Sequence, residues 1–427
     1  MAAKDIPTNA APASDEVSCH SNVQDRSEFH GAAQLLRSGS PALALCGFNE
    51  ILKRAPNDAK ALNGRGLALA ALGRKDEALG AFRAASAADP TAWAPVASIA
   101  DTAPDESQRI GAVSQCADIL IGLCARSGTG GQLFERAANA LSDAHRFSEL
   151  ADFARRYRSR FINVARAYDW RAKASYELGE FGEALSWKRA ALRLTPLPSA
   201  EARPVNQFDP GAALEALTNF AAELNGLGVT FFLAAGTALG FLRSGGPLSH
   251  DRDIDIGIFR DINGGPDIAG LLRRHPRLML ARSARPADRY FAVMHRGIAV
   301  DIFIHDTSAG SVTCGVSNRP GDIEWRFSGF SLQPHVIGGR TWNLPYPAER
   351  YLAESYGADW TTPNRGFASA ISSPALNGVD VRVRAFYAAS RARAALLGGD
   401  VAKARALMDQ SPLPIRPHGS SGYDNFK

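Results

Sequence analysis

No lysine occurs between Lys188 and Lys403 in this chain of 427 residues. That gap excludes a lysine-dependent P-loop and a lysine Schiff base from the central region. A side-chain cation that meets phosphate there is therefore expected to be arginine, whose planar fork suits it. Long apolar runs are lacking too. The longest, Phe231 to Leu242, is broken by glycine and threonine and falls short of the roughly 20 residues a membrane span requires. The N-terminus carries no apolar h-region, so no secretory signal is expected. Cysteines are few and odd in number: Cys19, Cys46, Cys116, Cys124 and Cys314, without metal-like spacing. Free, mostly buried thiols are the expectation, which suits a reducing cytoplasm. The net charge of +5 and pI near 9.0 fit phosphate-bearing substrates or an anionic membrane surface. No basic stripe interleaved with aromatics accompanies them, so nucleic acid is not expected as a partner.

What is present falls into two halves. In the first, Gly66, Ala78, Phe82, Ala85 and Pro90 stand at the spacing of a tetratricopeptide repeat, whose period is about 34 residues. Small residues at Gly66 and Ala78 let the two helices of a hairpin approach closely. A preceding unit keeps the frame with Ala32, Ala44, Phe48 and Pro56, and another ends at Pro196 with Gly179, Ala184 and Ala191. The stretch between them, Thr102 to Asn163, is helical in pattern but degenerate. Such repeats bury their faces only by stacking, so an α-helical solenoid is expected over 25–196.

The second half carries the chemistry. An apolar strand, Val229 to Ala235, leads into Gly236-Thr237, a short helical segment and the Gly245-Gly246-Pro247 break. A second strand follows, in which Asp253 and Asp255 alternate with Ile254 and Ile256. A period of two puts both carboxylates on one face, roughly 7 Å apart, with the isoleucines on the other. Two acids so placed repel unless a cation lies between them, and a divalent metal answers that need. Further on, Ile298 to His305 is a β-branched run interrupted by Asp301, a carboxylate that is costly to bury without a partner or metal. A solvated strand edge or a turn cap is the plainer explanation of an isolated Asp-x-Asp. Three strand-borne acids behind a Gly-Thr turn point instead to a nucleotidyltransferase-type fold.

Taken together, the run GTALG, Arg243, Gly245-Gly246, DRDIDI and VDIF resembles the LicD/fukutin family of phosphotransferases, and Leu344 to Pro363 is similar to that family's closing element. The similarity spans Val229 to Pro363 and departs from the family pattern at His250 and Arg252. It implies transfer of a phosphorylated alcohol, phosphocholine or a polyol phosphate, from a CDP-linked or other nucleotide-linked donor to a glycan or glycolipid hydroxyl. Asp253 and Asp255 would bind Mg²⁺, with Mn²⁺ as the alternative ion. Asp301 would be a third metal ligand or the base that takes the acceptor proton. Gly236 and Thr237 would cradle phosphate, because glycine permits close backbone approach. Arg243, Gly246 and Arg252 complete the expected substrate contacts.

The organisation expected is therefore multidomain: a disordered segment over 1–24, the tetratricopeptide solenoid over 25–196 and a proline-rich linker over 197–204. A LicD-like α/β domain with a mixed sheet follows over 205–397, then a loose tail over 398–427. The solenoid is expected to dock a partner protein, with the acceptor glycan as the alternative occupant. Catalysis is expected in the cytoplasm, with peripheral contact at the inner membrane face left open. Two rivals stand beside this reading: a nucleotidyltransferase using NTP, and a repeat scaffold with an inactive transferase domain.

Overall fold

The computed structural model describes residues 26–126, 130–196, 209–249, 251, 253–263, 267–275, 278–364 and 366–415. The expected disordered segment 1–24, the linker 197–204 and Arg252 lie outside the described residues. The chain forms two compact units: Met1–Thr129 with Asn139–His145 and Gly270–Ser283, and a second of Gly130–Ala138, Arg146–Ala269 and Ala284–Lys427.

The first unit is built on helical hairpins: α1 (Arg26–Arg37) with α2 (Pro41–Arg54), α3 (Ala59–Ala71) with α4 (Lys75–Ala88), and α5 (Trp93–Thr102) with α6 (Glu106–Cys124). Gly66 does what its spacing suggests, and Gly64 plays the same part against α2 of the preceding hairpin. A Cβ on Gly66 would stand 2.4 Å from the Phe82 ring, and one on Gly64 would stand 2.4 Å from that of Phe48. Glycine alone admits the two phenylalanines, which are almost wholly buried. Asp58 caps α3 by accepting the Lys60 and Ala61 amides at 2.9 Å, a contact that fixes where the helix begins. Cys46 is disulfide-bonded, while Cys116, Cys124 and Cys314 are free and buried. This corrects the expectation of free thiols throughout and removes its support for a reducing compartment.

After α7 (Gly131–Asp143), the second unit contains α8 (Phe147–Arg156), a 3₁₀ turn at Arg158–Arg160, and the hairpin α9 (Val164–Glu177) with α10 (Phe181–Arg193). Next in chain order come α11 (Pro210–Gly226), β1 (Phe232–Leu233), α12 (Ala235–Ser244), β2 (Asp253–Phe259), α13 (Ile268–Arg274), whose residues from Gly270 on belong to the first unit, β3 (Tyr290–His295) and β4 (Ile298–Ser308). The remainder is β5 (Ser311–Gly315), β6 (Glu324–Ser328), β7 (Ser331–Ile337), β8 (Arg340–Tyr346), α14 (Ala348–Tyr356), α15 (Ser369–Ser372), α16 (Val381–Leu397) and α17 (Val401–Asp409).

The sheet is mixed. Its order is β1-β2-β4-β5-β6 with β3 also on β4, and β7-β8 forms a separate hairpin. The β2–β4 pair is parallel and the rest are antiparallel. A parallel pair needs a long crossover, which the chain between β2 and β3 supplies. Ile254, Ile256 and Ile258 pack with Val300, Ile302 and Ile304, all fully buried, as the alternation in both strands requires.

Two features depart from the sequence-based boundaries. Leu185 and Leu192 of α10 share one apolar cluster with Ala385, Ala388, Ala389, Ala392 and Leu396 of α16. Around it, Asp169 meets Lys188 at 2.8 Å and Arg393 at 2.9 Å, and Arg319 meets Glu177 at 2.6 Å. The last helical hairpin is thus continuous with the sheet-bearing unit instead of closing a separate 25–196 domain. The second departure is α17. It lies in the expected tail over 398–427 and buries Ala404 and Leu407, with Ile415 beyond it, in the same cluster. Among the described residues no helix is long and apolar enough to cross a membrane.

Candidate functional site

The acids meet at the start of α12. Its first residue, Ala235, has a left-handed φ of 39°, costly for a residue with a Cβ, and its amide donates to the Tyr351 hydroxyl at 3.0 Å. The next amide, of Gly236, donates to Asp255 Oδ2 at 2.9 Å. Thr237 Oγ1 accepts the Asp255 amide at 2.8 Å. Strand β2 and α12 are therefore locked through the Gly-Thr pair, and an Asp carboxylate sits on the positive end of a helix. Gly236 leaves room for these carboxylates. A Cβ there would lie 2.9 Å from Asp255 Oδ2 and 3.5 Å from both Asp251 oxygens, so Asp251 and Asp255 converge on this backbone.

Asp255 and Asp301 are register partners across the parallel β2–β4 pair, while Asp253 stands opposite Ala299. Partners in register share a face of the sheet. Tyr290, at the start of β3, donates its hydroxyl to Asp301 Oδ1 at 2.9 Å. Asp253, Asp255, Asp301, Gly236 and Thr237 are thus brought together as the sequence suggests, and Asp251 joins them.

The electrostatics follow from crowding like charges away from water. Asp255 keeps some accessible surface, yet burial of its carboxylate pushes its pKa well above the usual range. Asp253, Asp301 and Asp251 push the same way, and the Gly236 amide opposes them. Burial and then Asp253 raise Asp301 to about 7, against the Tyr290 hydrogen bond and Arg391. Burial and Asp253 raise Asp251 to about 6, against Lys403. Arg391 on α16 and Lys403 on α17 are cations that the sequence reading misses, since they stand on helices beyond the recognisable blocks.

The remaining expected contacts are placed differently. Arg243 is in the last turn of α12, about 10 Å along the axis from Gly236 at 1.5 Å per residue. Its guanidinium donates to the Trp360 carbonyl and its Nε is buried without a hydrogen-bond partner. Arg243 lines a cavity of about 500 Å³ with Ser244, Leu248, Ser249 and Asn364. Leu344 to Pro363, the expected closing element, therefore holds both ends of α12 through Tyr351 and Trp360. Gly246 packs its carbonyl where a Cβ on Gly240 would come within 2.6 Å, which keeps the Gly-Gly-Pro break tight against the helix. A second cavity, of about 430 Å³, lies at the other end of β2 between Phe259, Asp261, Thr307 and Phe330, and the acids take no part in its wall.

Among the described residues no set of three or more His, Cys, Asp or Glu side chains is arranged to hold a metal ion by itself. The donor set nevertheless fits Mg²⁺. That ion is commonly held by one or two carboxylates and completed by water and substrate phosphates. Hard carboxylate oxygens whose burial and mutual repulsion raise their pKa, around a glycine whose Cβ would crowd them, provide such an open pair.

No curated protein matches the chain. The crystal structure of MamA is 16% identical, covering 40% of this chain and 95% of its own, with a TM-score of 0.30. TTC0263, a thermophilic TPR protein in Thermus thermophilus, is 18% identical, covering 39% and 88%, with a TM-score of 0.27. Residues 228–311, which hold the Gly-Thr turn and all four acids, match the family model LicD/FKTN/FKRP, nucleotidyltransferase domain, and the chain therefore carries a LicD-family domain over that segment.

Proposed function

We propose that this protein is a metal-dependent transferase that moves a phosphorylated alcohol from a CDP-linked donor to a glycan or glycolipid hydroxyl. The LicD-family domain supports the transferase class. The observation that carries the reading is the convergence of Asp251 and Asp255 on Gly236, with Asp301 in register beside Asp255. Asp253 and Asp255 would hold Mg²⁺, which when bound neutralises charge that builds on the diphosphate.

The chain's own residues would do the rest. The Gly236 amide and the Thr237 hydroxyl orient Asp255. Tyr290 fixes one oxygen of Asp301, whose other oxygen accepts the proton of the acceptor hydroxyl or serves as a third ligand. The acceptor oxygen attacks the phosphorus that bears the alcohol, the P–O–P link breaks, and CMP leaves.

The test is a panel of CDP-choline, CDP-ribitol, CDP-glycerol and the four NTPs with Mg²⁺ and a glycan acceptor, with the product weighed by mass spectrometry. A phosphoalcohol adduct supports the proposal. A nucleotide adduct makes the protein a nucleotidyltransferase, and no adduct with any donor leaves the scaffold reading. Asp301→Asn separates the two roles of Asp301, because loss of turnover with Mg²⁺ binding retained marks a base and loss of both marks a ligand.

A further inference from the structure

Within the first compact unit, residues 273, 275, 278, 282 and 283 are bonded to side chains of α4, α5, α6 and the loop after α7. Lys75, at the start of α4, donates to the carbonyls of Arg273 (3.1 Å), His275 and Leu278 (3.4 Å). Arg109 of α6, only 1% exposed, donates to the Arg282 carbonyl. His145 Nε2 lies 2.8 Å from the Ser283 carbonyl. Three side chains thus read main-chain oxygens. Two acids read arginines: Asp101 holds Arg282 through two bonds of 2.7 Å, and Glu106 holds Arg273 at 2.5 Å.

Donors to backbone carbonyls recognise a chain without regard to its side chains, and a bidentate Arg–carboxylate pair adds the selectivity. That division of labour is how peptide sites work. The Lys75 ammonium is brought down to about 8 by burial, against the charge of Asp101.

We propose that the α4–α6 face is a peptide-binding site whose resident ligand is Gly270–Ser283 of the same chain, and that a basic partner segment with two arginines competes for it. A tethered ligand acts at an effective concentration in the millimolar range, so an external peptide is strongly disfavoured while the resident segment is intact. Weakening the resident segment opens the site without altering its walls.

The experiment titrates a labelled synthetic peptide of residues 270–283 against the full chain and its Arg282→Glu variant, with circular dichroism to verify folding. The expected result is binding to Arg282→Glu at least about tenfold tighter than to the parent chain, and loss of that gain when Asp101→Asn is added. Hydrogen exchange at residues 270–275 and 278–283 of the parent chain should also rise when the peptide is present in excess. A folded Arg282→Glu chain that fails to bind the peptide, or that binds it equally with Asp101→Asn, overturns the proposal and leaves the contact as a fixed packing interface.

Discussion

Asp255 on β2 and Asp301 on β4 are direct partners in a parallel ladder, so two carboxylates stand side by side on one sheet face, with strands about 4.8 Å apart. With no metal bound, each raises the cost of charging the other. That relation yields the first expectation. Changing Asp255 to Asn keeps an oxygen that can accept the Gly236 amide and removes one charge from the cluster. The metal-free variant should be as stable as the parent or more so by thermal melting, while transfer is lost. A large fall in stability would mark Asp255 as a purely structural acid.

The pH dependence of stability has a definite sign. Asp251 and Asp301 titrate at about 6 and about 7 in the folded chain, above the ordinary value of 3.8 for each. Between those limits the folded state binds more protons than the unfolded state, so stability falls as pH rises. Without divalent ions the urea midpoint should decline from about pH 4 to about pH 7 and then level with respect to these groups. Asp301→Asn should remove the upper part of the decline, and Mg²⁺ should flatten it. A midpoint that rises across this window contradicts the electrostatic account.

Gly236→Ala tests the close approach. The new methyl would sit 2.9 Å from Asp255 Oδ2, where no Cβ is accommodated unless the carboxylate shifts. Displacing such a ligand-orienting contact typically costs about 10–100-fold in metal affinity or activity. Mg²⁺ affinity measured by calorimetry should fall on that scale while circular dichroism stays unchanged. Unaltered affinity would show that Gly236 serves the turn and nothing more.

The C-terminal helices should prove indispensable. Leu407 and Ile415 are 2% and 4% exposed, and burying two such side chains contributes about 3–6 kcal/mol. Removing residues 398–427 should lower the melting temperature sharply, and a fragment beginning near Pro204 should fare no better, because it strips Leu185 and Leu192 from the same cluster. Full stability of either truncation would restore the boundaries that the sequence suggests.

Much of the site was legible because its signals are local. Alternation of Asp253 and Asp255 with isoleucines fixed the strand and its faces, and the Gly-Thr turn marked the start of α12. The partnership of Asp255 with Asp301 could only be expected, since register across a crossover is non-local. Tyr290, Arg391 and Lys403 carry no local signature, because each matters only through the acid it approaches. Helix α17 was hidden for a related reason. It is nine residues long, between Gly398-Gly399 and a proline-rich end, and such a helix is held by packing on α16 more than by its own propensity. The surface of Leu185 and Leu192 looks like any repeat face until α16 covers it. Arg243, by contrast, was singled out for its chemistry, and its place at the far end of α12 follows from helix geometry that the sequence already contained.

The central claim is that the acids around Gly236 form a divalent-cation-dependent transfer site, and CMP release from CDP-alcohols tests it most directly. Turnover should appear with Mg²⁺, vanish in EDTA, return when Mg²⁺ is restored, and be absent from Asp253→Asn and Asp255→Asn chains that melt like the parent. CMP release that persists in EDTA, or that survives in both variants, would contradict the account.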